Sequence, residues 1–233
     1  MQAFSRRSFV ALVGAACAAS LVGCSDARSG TAGGNQPAAN ANAAAPENAT
    51  NAAVPSQPKS KTLLAWFSRA GENYNPAGNE YLAVGHTTEV AGFIGVALGC
   101  DQYEIVPQVP YPEEYTPTCD IAAEELAQNA RPAIANPLPD TSGYENIIVG
   151  CPIWWGDEPM IVRTFLEGIT TAGKNIYVFT THGGSGLGST VGNFTSLCPA
   201  AHVNSNGFTV AGTQAHDAGE DVTAWLKSLN LTN

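Results

Sequence analysis

The sequence predicts a doubly wound α/β domain built on a five-stranded parallel sheet. From Thr62 onward, short apolar runs alternate with segments of helical periodicity, as in parallel sheets covered by helices. The strand runs are apolar at nearly every position, which is typical of strands buried on both faces. With 233 residues, 44% of them hydrophobic, the chain is large enough for one domain with a substantial core.

Five segments are predicted strands because they are short, apolar and rich in β-branched or aromatic residues. They cover residues 62–67, 101–106, 146–153, 175–181 and 207–212. Segments with helical spacing lie between and after them, at residues 86–99, 119–130, 158–169, 188–198 and 218–229. In the last helix, Trp225 shares a face with Val222 and Leu226, so we expect it in the core.

Residues 1–24 are predicted to be an export signal. Arg6 and Arg7 precede an apolar stretch that is too short and too often interrupted by small residues to favour a membrane span. The run around the two arginines resembles a twin-arginine signal, and the run ending at Cys24 resembles a lipobox, whose cysteine is acylated. The alternative is an uncleaved anchor, which leaves the protein on the same side of the membrane.

Residues 25–61 are rich in Ala, Asn, Gly, Pro and Ser, which predicts a flexible tether before a domain at residues 62–233. The net charge of −10 becomes about −12 when Arg6 and Arg7 leave with the signal. Nucleic acid and anionic membrane are therefore poor partners. We expect the protein on the extracytoplasmic face of the cytoplasmic membrane, attached only through a lipid at Cys24.

Four cysteines remain in the predicted domain, and their spacing contains no C-x-x-C motif, so we expect no metal site. Export permits disulfide bonds, and a bond between Cys119 and Cys198 is conceivable. The spacing does not determine the pairing. The four cysteines are Cys100, Cys119, Cys151 and Cys198.

The loops after the first, third and fourth strands are the candidates for a binding site, because ligands of open parallel sheets bind beyond the carboxyl ends of the strands. After the first strand, a polar insertion at residues 72–84 separates two short turns. Hydroxyl and N–H groups at a strand-to-helix turn favour anions, although Thr87 could instead be a simple helix N-cap. The two turns contain Ser68, Arg69 and Ala70, and then His86, Thr87 and Thr88.

After the third strand, two tryptophans are adjacent in the run CPIWWGDEPM. Neighbouring strand residues point to opposite faces, so Trp154 and Trp155 cannot both enter one core pocket. At least one indole should line the crevice and offer a flat face to a planar ring. We favour Trp154 for this position, with Trp155 bracing the loop from the other side; the alternative is that both shield the loop.

After the fourth strand, four glycines in six residues let the backbone approach a ligand closely. The run GGSGLG is not a dinucleotide-binding fingerprint, because it follows the fourth strand and no ribose-binding acid accompanies it. His182, just before it, is either a proton carrier or, as we favour, a hydrogen-bonding wall residue.

Together, these three loops resemble those of the flavodoxin family, and in particular of an exported branch with the pattern PIWWG. The resemblance covers essentially all of residues 62–229 and implies the strand order 2-1-3-4-5. It implies flavin mononucleotide (FMN) as cofactor, with the first turn at the phosphate and the other two loops flanking the flavin ring. The residues implied to bind it are Ser68, Arg69, Ala70, His86, Thr87, Thr88, Pro152, Ile153, Trp154, Trp155, Gly156, Thr181, His182, Gly183, Gly184, Ser185 and Gly188.

The sequence departs from the family pattern at two positions. Ala70 stands where a threonine is common, so one phosphate hydroxyl is missing, and His86 stands where an asparagine is common. The insertion at residues 72–84 has no counterpart in short-chain flavodoxins and could cover the ring or contact a partner.

The resemblance implies an electron carrier that serves a redox partner protein or a small acceptor. Two alternatives stay open. The first is an FMN-dependent reductase of quinones that uses NAD(P)H, with His182 or Tyr74 near the ring. The second is a flavin-free binding module, which is favoured by the missing phosphate hydroxyl at Ala70. The acidic residues Asp157 and Glu158 should disfavour an anionic reduced flavin and so lower its potential.

Overall fold

The computed structural model describes residues 60–232. The predicted export signal, and the predicted tether up to residue 59, lie outside the described residues. Eight strands, β1 to β8, and five α-helices, α1 to α5, follow one another in the described part of the chain. In chain order they are β1 (Thr62–Trp66), β2 (Gly71–Asn73), β3 (Glu80–Leu82), α1 (His86–Leu98), β4 (Asp101–Glu104), α2 (Tyr115–Ala127), β5 (Asn146–Pro152), α3 (Met160–Gly168), β6 (Asn175–His182), α4 (Thr190–Leu197), β7 (His202–Val203), β8 (Phe208–Ala211), a 3₁₀ helix (Gly212–Asp217) and α5 (Gly219–Ser228).

The main sheet is parallel and confirms the predicted fold and strand order. Its order is β4-β1-β5-β6, followed by β7 and β8, which both pair with β6. The predicted strands 1 to 5 correspond to β1, β4, β5, β6 and β8. The carboxyl ends of β1, β5 and β6 are neighbours in this order, so the three loops predicted to bind the ligand leave the same edge of the sheet.

Two apolar layers cover the sheet. Alternate residues of β1 point to opposite faces, so Leu64 and Trp66 pack with α1 and α5, while Ala65 and the following Phe67 pack with α3 and α4. Trp225 lies in the first layer, as predicted, and its indole N–H donates to the carbonyl of Asn206 at 2.8 Å.

The structure corrects several predicted boundaries. Helix α2 begins at Tyr115, four residues before the predicted start, because Pro117 and Thr118 fit the first turn of a helix. The second strand, β4, ends at Glu104 rather than at residue 106. The insertion at residues 72–84, for which no strand was predicted, contains most of the antiparallel hairpin β2–β3, which begins at Gly71.

The fifth position of the sheet is divided between two short strands. Strand β7 pairs with the first two residues of β6, and β8 pairs with its last four. Only the second of these segments was predicted from the sequence.

The four cysteines of the described part, Cys100, Cys119, Cys151 and Cys198, are free thiols, so the conceivable bond between Cys119 and Cys198 is not formed. Within residues 60–232, no helix is both long and apolar enough to cross a membrane.

Candidate functional site

One cavity lies at the carboxyl edge of the sheet. Its volume is about 460 Å³, within the range of small-ligand sites. The loops after β1, β5 and β6 form part of its wall, as predicted, and the hairpin and helix α2 form the rest. It is lined by Arg69, Asn73, Tyr74, His86, Tyr115, Thr116, Thr118, Cys119, Asp120, Ala122, Pro152, Ile153, Trp154, Trp155, Thr181, His182, Gly183 and Gly212.

Nine of the predicted site residues line this cavity, and eight are not among its lining residues. The nine are Arg69, His86, Pro152, Ile153, Trp154, Trp155, Thr181, His182 and Gly183. The eight are Ser68, Ala70, Thr87, Thr88, Gly156, Gly184, Ser185 and Gly188.

The turn predicted to bind phosphate is held together by its own hydroxyl groups. The Thr88 N–H donates to Ser68 Oγ at 3.2 Å, and the Trp66 indole N–H donates to Thr88 Oγ1 at 3.1 Å. Helix α1 begins at His86 after the N-cap Gly85, so the alternative that Thr87 is the N-cap is wrong. Thr87 is instead buried, with its hydroxyl 2.8 Å from that of Thr181.

This pair of threonines joins the first loop to the last. Gly85 allows the close packing of the first turn, because a Cβ there would lie 2.3 Å from Ser68 Oγ and 2.5 Å from the Arg69 carbonyl. Helix α1 begins at His86, which lines the cavity, and N–H groups at the start of a helix attract anions.

Arg69 is bonded to backbone carbonyls rather than presented freely to a ligand. Its guanidinium donates to the carbonyls of Pro112 at 2.9 Å and Glu113 at 3.1 Å, and to those of Ala70 and Glu72. Burial lowers the pKa of the guanidinium, an effect that nearby Cys119 and Glu72 oppose. Arg69 therefore ties the hairpin to the segment that leads into α2.

His86 lies between two carboxylates at the start of α1. Its Nδ1 is 3.3 Å from Glu89 Oε2, and its Nε2 is 3.6 Å from Glu80 Oε1 on strand β3. Nε2 is buried and lacks a hydrogen-bond partner within the described residues. His86 thus connects the cavity wall, the hairpin and helix α1.

Both tryptophans line the cavity, and they differ in packing and exposure. Trp154 packs edge-on against Phe67 and Tyr111, with ring centroids 5.4 and 5.0 Å away, and so braces the loop. Trp155 is 63% exposed, and its indole N–H donates to the carbonyl of Cys119 in α2 at 3.0 Å. Trp155 is therefore the indole with a broad accessible surface.

A tight turn explains the difference between the two indoles. Trp154 and Asp157 exchange two backbone hydrogen bonds, of 2.8 and 3.0 Å, and so close a hairpin-like turn. The two residues at its tip, Trp155 and Gly156, have φ values of 54° and 86°, as the mirror-image hairpin turns require. A positive φ is unusual for a bulky residue. Strained backbone conformations of this kind cluster at functional sites.

A buried ion pair supports this turn from behind. The Glu158 side chain is fully buried, and its carboxylate accepts from Arg163 Nε at 2.7 Å and from Asn193 Nδ2 at 3.0 Å. Arg163 also contacts Asp157 at 3.3 Å. A single guanidinium therefore offsets both of the acidic residues that the sequence places beside the tryptophans.

The loop after β6 approaches the cavity through its backbone. A Cβ on Gly183 would lie 2.5 Å from the Tyr74 ring, and one on Gly188 would lie 2.2 Å from the Gly156 carbonyl. The Gly184 N–H donates to His182 Nδ1 at 2.8 Å, and burial lowers the pKa of that imidazole. His182 is therefore held as a neutral hydrogen-bond acceptor, in agreement with a wall residue.

Helix α2 contributes a wall that the sequence analysis missed. Tyr115, Cys119 and Asp120 line the cavity from its first two turns. Burial, and a hydrogen bond with Cys119, raise the pKa of Tyr115 to about 12. The sequence feature that could have indicated this wall is the pair of tyrosines, Tyr111 and Tyr115, on either side of the acidic residues before the helix.

Comparison with known proteins agrees with this architecture. No curated protein is significantly similar to the chain in sequence. Two solved structures, provisionally described as flavoproteins of Bacteroides eggerthii and Bacteroides uniformis, each share 27% identity with the chain, with TM-scores of 0.58 and 0.57. The matches cover 73% and 72% of this chain and 98% and 97% of theirs.

A flavoprotein from Lactobacillus acidophilus, solved in complex with FMN, is 21% identical, with a TM-score of 0.49 over 69% of this chain and 98% of its own. The sequence profile described as flavodoxin matches residues 79–229, which is more than half of the chain. The chain therefore belongs to the flavodoxin family, and this membership supports FMN as its cofactor.

Proposed function

We propose that this protein is an FMN-binding electron-transfer protein that works outside the cytoplasmic membrane. The observation that carries the proposal is the convergence of the loops after β1, β5 and β6 on one cavity of suitable size. One side of this cavity meets the start of α1, where N–H groups favour an anion, and the other meets exposed aromatic rings.

The chain's own residues would divide the binding of FMN between these two sides. The start of α1, with His86 and the backbone supported by Ser68 and Thr88, would hold the phosphate. Trp155 and the backbone around Gly183 would enclose the flavin ring. Bound FMN supplies the redox chemistry, while the protein orients the cofactor and sets its potential through nearby charges.

The positive charge of Arg163 would also affect the reduction potential of a bound flavin. Asp157 and Glu158 would disfavour a more negative flavin, but Arg163 is paired with both carboxylates. The lowering of the potential proposed from the sequence therefore rests on the overall acidity of the domain more than on these two residues.

The absorption spectrum of the purified protein tests FMN binding directly. We expect the yellow colour of a bound flavin, or its appearance when FMN is added to protein without cofactor. A protein that stays colourless and does not bind added FMN would contradict the proposal and favour the flavin-free binding module on the same fold.

A flavin-dependent quinone reductase is the second candidate. It is favoured by Tyr74, Tyr115 and His182, which line the cavity with groups that can exchange hydrogen bonds with an acceptor. Sustained oxidation of NADH or NADPH with a benzoquinone would support the reductase. Oxidation of chemically reduced protein by a redox protein, without such turnover, would support the carrier.

We also propose export through a twin-arginine signal and attachment through Cys24. This part rests on the sequence of residues 1–61. We expect Arg6→Lys/Arg7→Lys to retain the protein in the cytoplasm and Cys24→Ser to release an exported protein from the membrane, as followed by cell fractionation. Arg28→Lys, in the predicted tether, is the control and should leave both steps unchanged.

A further inference from the structure

The segment that leads into helix α2 is held by two side chains of the first loop. The Arg69 guanidinium donates to the carbonyls of Pro112 and Glu113, at 2.9 and 3.1 Å. Glu72, in the middle of β2, accepts the N–H of Tyr115 on its Oε2 at 2.8 Å, and its own N–H donates to the Glu113 carbonyl at 2.7 Å. The positive side chain thus binds backbone carbonyls of this segment, and the negative side chain binds a backbone N–H.

Glu72 caps helix α2 from outside the helix. Tyr115 is the first residue of α2, and the first N–H groups of a helix have no partner within it. Glu114, in the N-cap position, makes no side-chain bond to the helix. The carboxylate that accepts the Tyr115 N–H instead comes from β2, 43 residues earlier in the chain. The helix dipole also favours a negative group at this end.

These contacts fix α2 beside the cavity. The ring of Tyr74, which follows β2, lies 6.5 Å from the Tyr115 ring between centroids. From the turn after β5, the Trp155 indole N–H donates to the Cys119 carbonyl at 3.0 Å. Tyr115 and Cys119 line the cavity, whereas Glu72 does not. The wall that α2 contributes is therefore held by the hairpin at its start and by the turn after β5 one helical turn further on.

We propose that Glu72 is a positioning residue for the ligand of the cavity, and that the hairpin serves to hold α2 in place as a wall. The inference rests on the proposed function for the identity of that ligand, FMN. A wall that is ordered before the ligand arrives adds no ordering cost to binding, so the site binds more tightly than one whose wall must first be fixed. Glu72 thus raises the affinity of the cavity without contacting the ligand.

Glu72 provides a sharper test than Arg69, because Arg69 itself lines the cavity. Within residues 60–232, the Glu72 carboxylate accepts one hydrogen bond, from Tyr115. Glu72→Ala removes this acceptor, and Glu72→Gln keeps an acceptor oxygen at the same position. Asp140→Ala is the matched control, since it removes a carboxylate that accepts the Ser142 N–H at 2.9 Å in the turn before β5.

The position of α2 can be measured without any ligand. Cys119 is half-buried, whereas Cys100, Cys151 and Cys198 are buried, so alkylation of Cys119 reports on this wall. In the purified full chain without FMN, we expect iodoacetamide to label Cys119 about threefold or more faster in Glu72→Ala, as located by peptide mass. Hydrogen exchange of the Tyr115 N–H should accelerate in the same variant. Glu72→Gln and Asp140→Ala should stay within about twofold of the unchanged protein in both measurements.

FMN titration then measures the effect on the ligand. We expect Glu72→Ala to weaken FMN binding about three- to tenfold, and Glu72→Gln to restore it to within about twofold. Asp140→Ala should leave FMN affinity unchanged. Urea unfolding of the three variants separates a general loss of stability from a loss at the cavity.

Unchanged labelling of Cys119 and unchanged exchange at Tyr115 in Glu72→Ala would overturn the inference. Equal effects of Asp140→Ala, or failure of Glu72→Gln to restore the wall, would overturn it as well. Faster labelling with unchanged FMN affinity would show that the position of α2 does not serve the ligand. If the unchanged protein binds no FMN, the proposed function fails, while labelling and exchange still decide whether Glu72 positions α2.

Discussion

Backbone conformation, more than side-chain character, decides the position of Trp155. Alternation along a strand predicts different surroundings for the two indoles, yet it does not tell which one is the more exposed, because the strand ends at Pro152. The turn from Trp154 to Asp157 then resets the direction of the side chains. Pro152 and Gly156 indicate a tight turn in the sequence, but nothing in the residue type of a tryptophan indicates the positive φ that Trp155 adopts in it.

Replacing the two tryptophans singly should separate their roles. We expect Trp155→Ala to weaken FMN binding about tenfold or more, since it removes an accessible aromatic surface from the cavity. We expect Trp154→Ala to lower the free energy of unfolding by about 2–4 kcal/mol, since it removes a ring packed against Phe67 and Tyr111. FMN titration and urea unfolding measure the two effects; the opposite assignment would contradict this account.

Gly183 provides a steric test of the contact between the last loop and Tyr74. A Cβ at this position would lie 2.5 Å from the Tyr74 ring, so we expect Gly183→Ala to displace that ring and weaken FMN binding severalfold. Gly192→Ala, in helix α4, is the matched control: it meets nothing within 4 Å and should stabilise the protein by about 0.5–1 kcal/mol. Unchanged FMN affinity in Gly183→Ala would argue against a tight contact.

His182 predicts a pH dependence with a definite sign. Burial lowers its pKa from 6.5, so the unfolded chain binds a proton more readily than the folded protein. Its contribution to stability is therefore complete above about pH 6.5 and is lost as the pH falls through that value toward the lowered pKa.

Protonation of Nδ1 also removes the acceptor of the Gly184 N–H. As the pH falls through the same window, hydrogen exchange at Gly184 should therefore accelerate relative to the rate of an unprotected amide at the same pH. His182→Gln, measured between pH 5 and pH 7.5 by the same exchange method, is the control and should lack this acceleration. A Gly184 exchange rate that follows only the normal pH dependence in both proteins would contradict the prediction.

At the scale of elements, the helices and strands with strong apolar patterns were predictable. Strands β1, β5 and β6 are buried along nearly their whole length, so their runs of apolar residues were unambiguous. The hairpin β2–β3 was missed because each of its strands has only three residues and neither forms an apolar run. It is bonded to the segment before α2, for example by the Glu72 N–H to the Glu113 carbonyl at 2.7 Å, and local sequence does not reveal such contacts.

The two arginine–glutamate pairs of α3 should differ strongly in energy. Glu158 is fully buried against Arg163, and we expect Glu158→Ala to cost about 3–5 kcal/mol because it removes the buried carboxylate to which Arg163 and Asn193 donate. Glu167 pairs with Arg131 near the surface, and we expect Glu167→Ala to cost less than about 1 kcal/mol. Chemical denaturation measures both; similar losses would show that burial of the first pair is not decisive.

At the scale of the whole molecule, the location of the site could be predicted from the topology of the sheet. The full set of residues that line it could not. The rule that ligands bind at the carboxyl edge identified three of the contributing loops. Helix α2 was missed because it follows β4, an edge strand whose loop lies away from the reversal in strand order. Long-range hydrogen bonds, such as that from Trp155 to Cys119, bring this helix over the cavity.

The excess of negative charge predicts that salt stabilises the folded protein. Carboxylates repel one another most in the compact state, and added salt screens this repulsion. We expect the melting temperature to rise by about 2–5 °C between about 10 mM and 300 mM NaCl. Potassium chloride should act equally, because the effect is one of screening; a fall in melting temperature with both salts would contradict it.

The divided fifth position of the sheet has a consequence for self-association. An uninterrupted outer strand offers a row of free N–H and carbonyl groups on which another chain can form cross-β pairs. Here the outer row is broken between β7 and β8, and in the gap the Asn206 carbonyl already accepts from Trp225. Neither short strand is long enough to template such growth, so this border of the sheet is protected against aggregation.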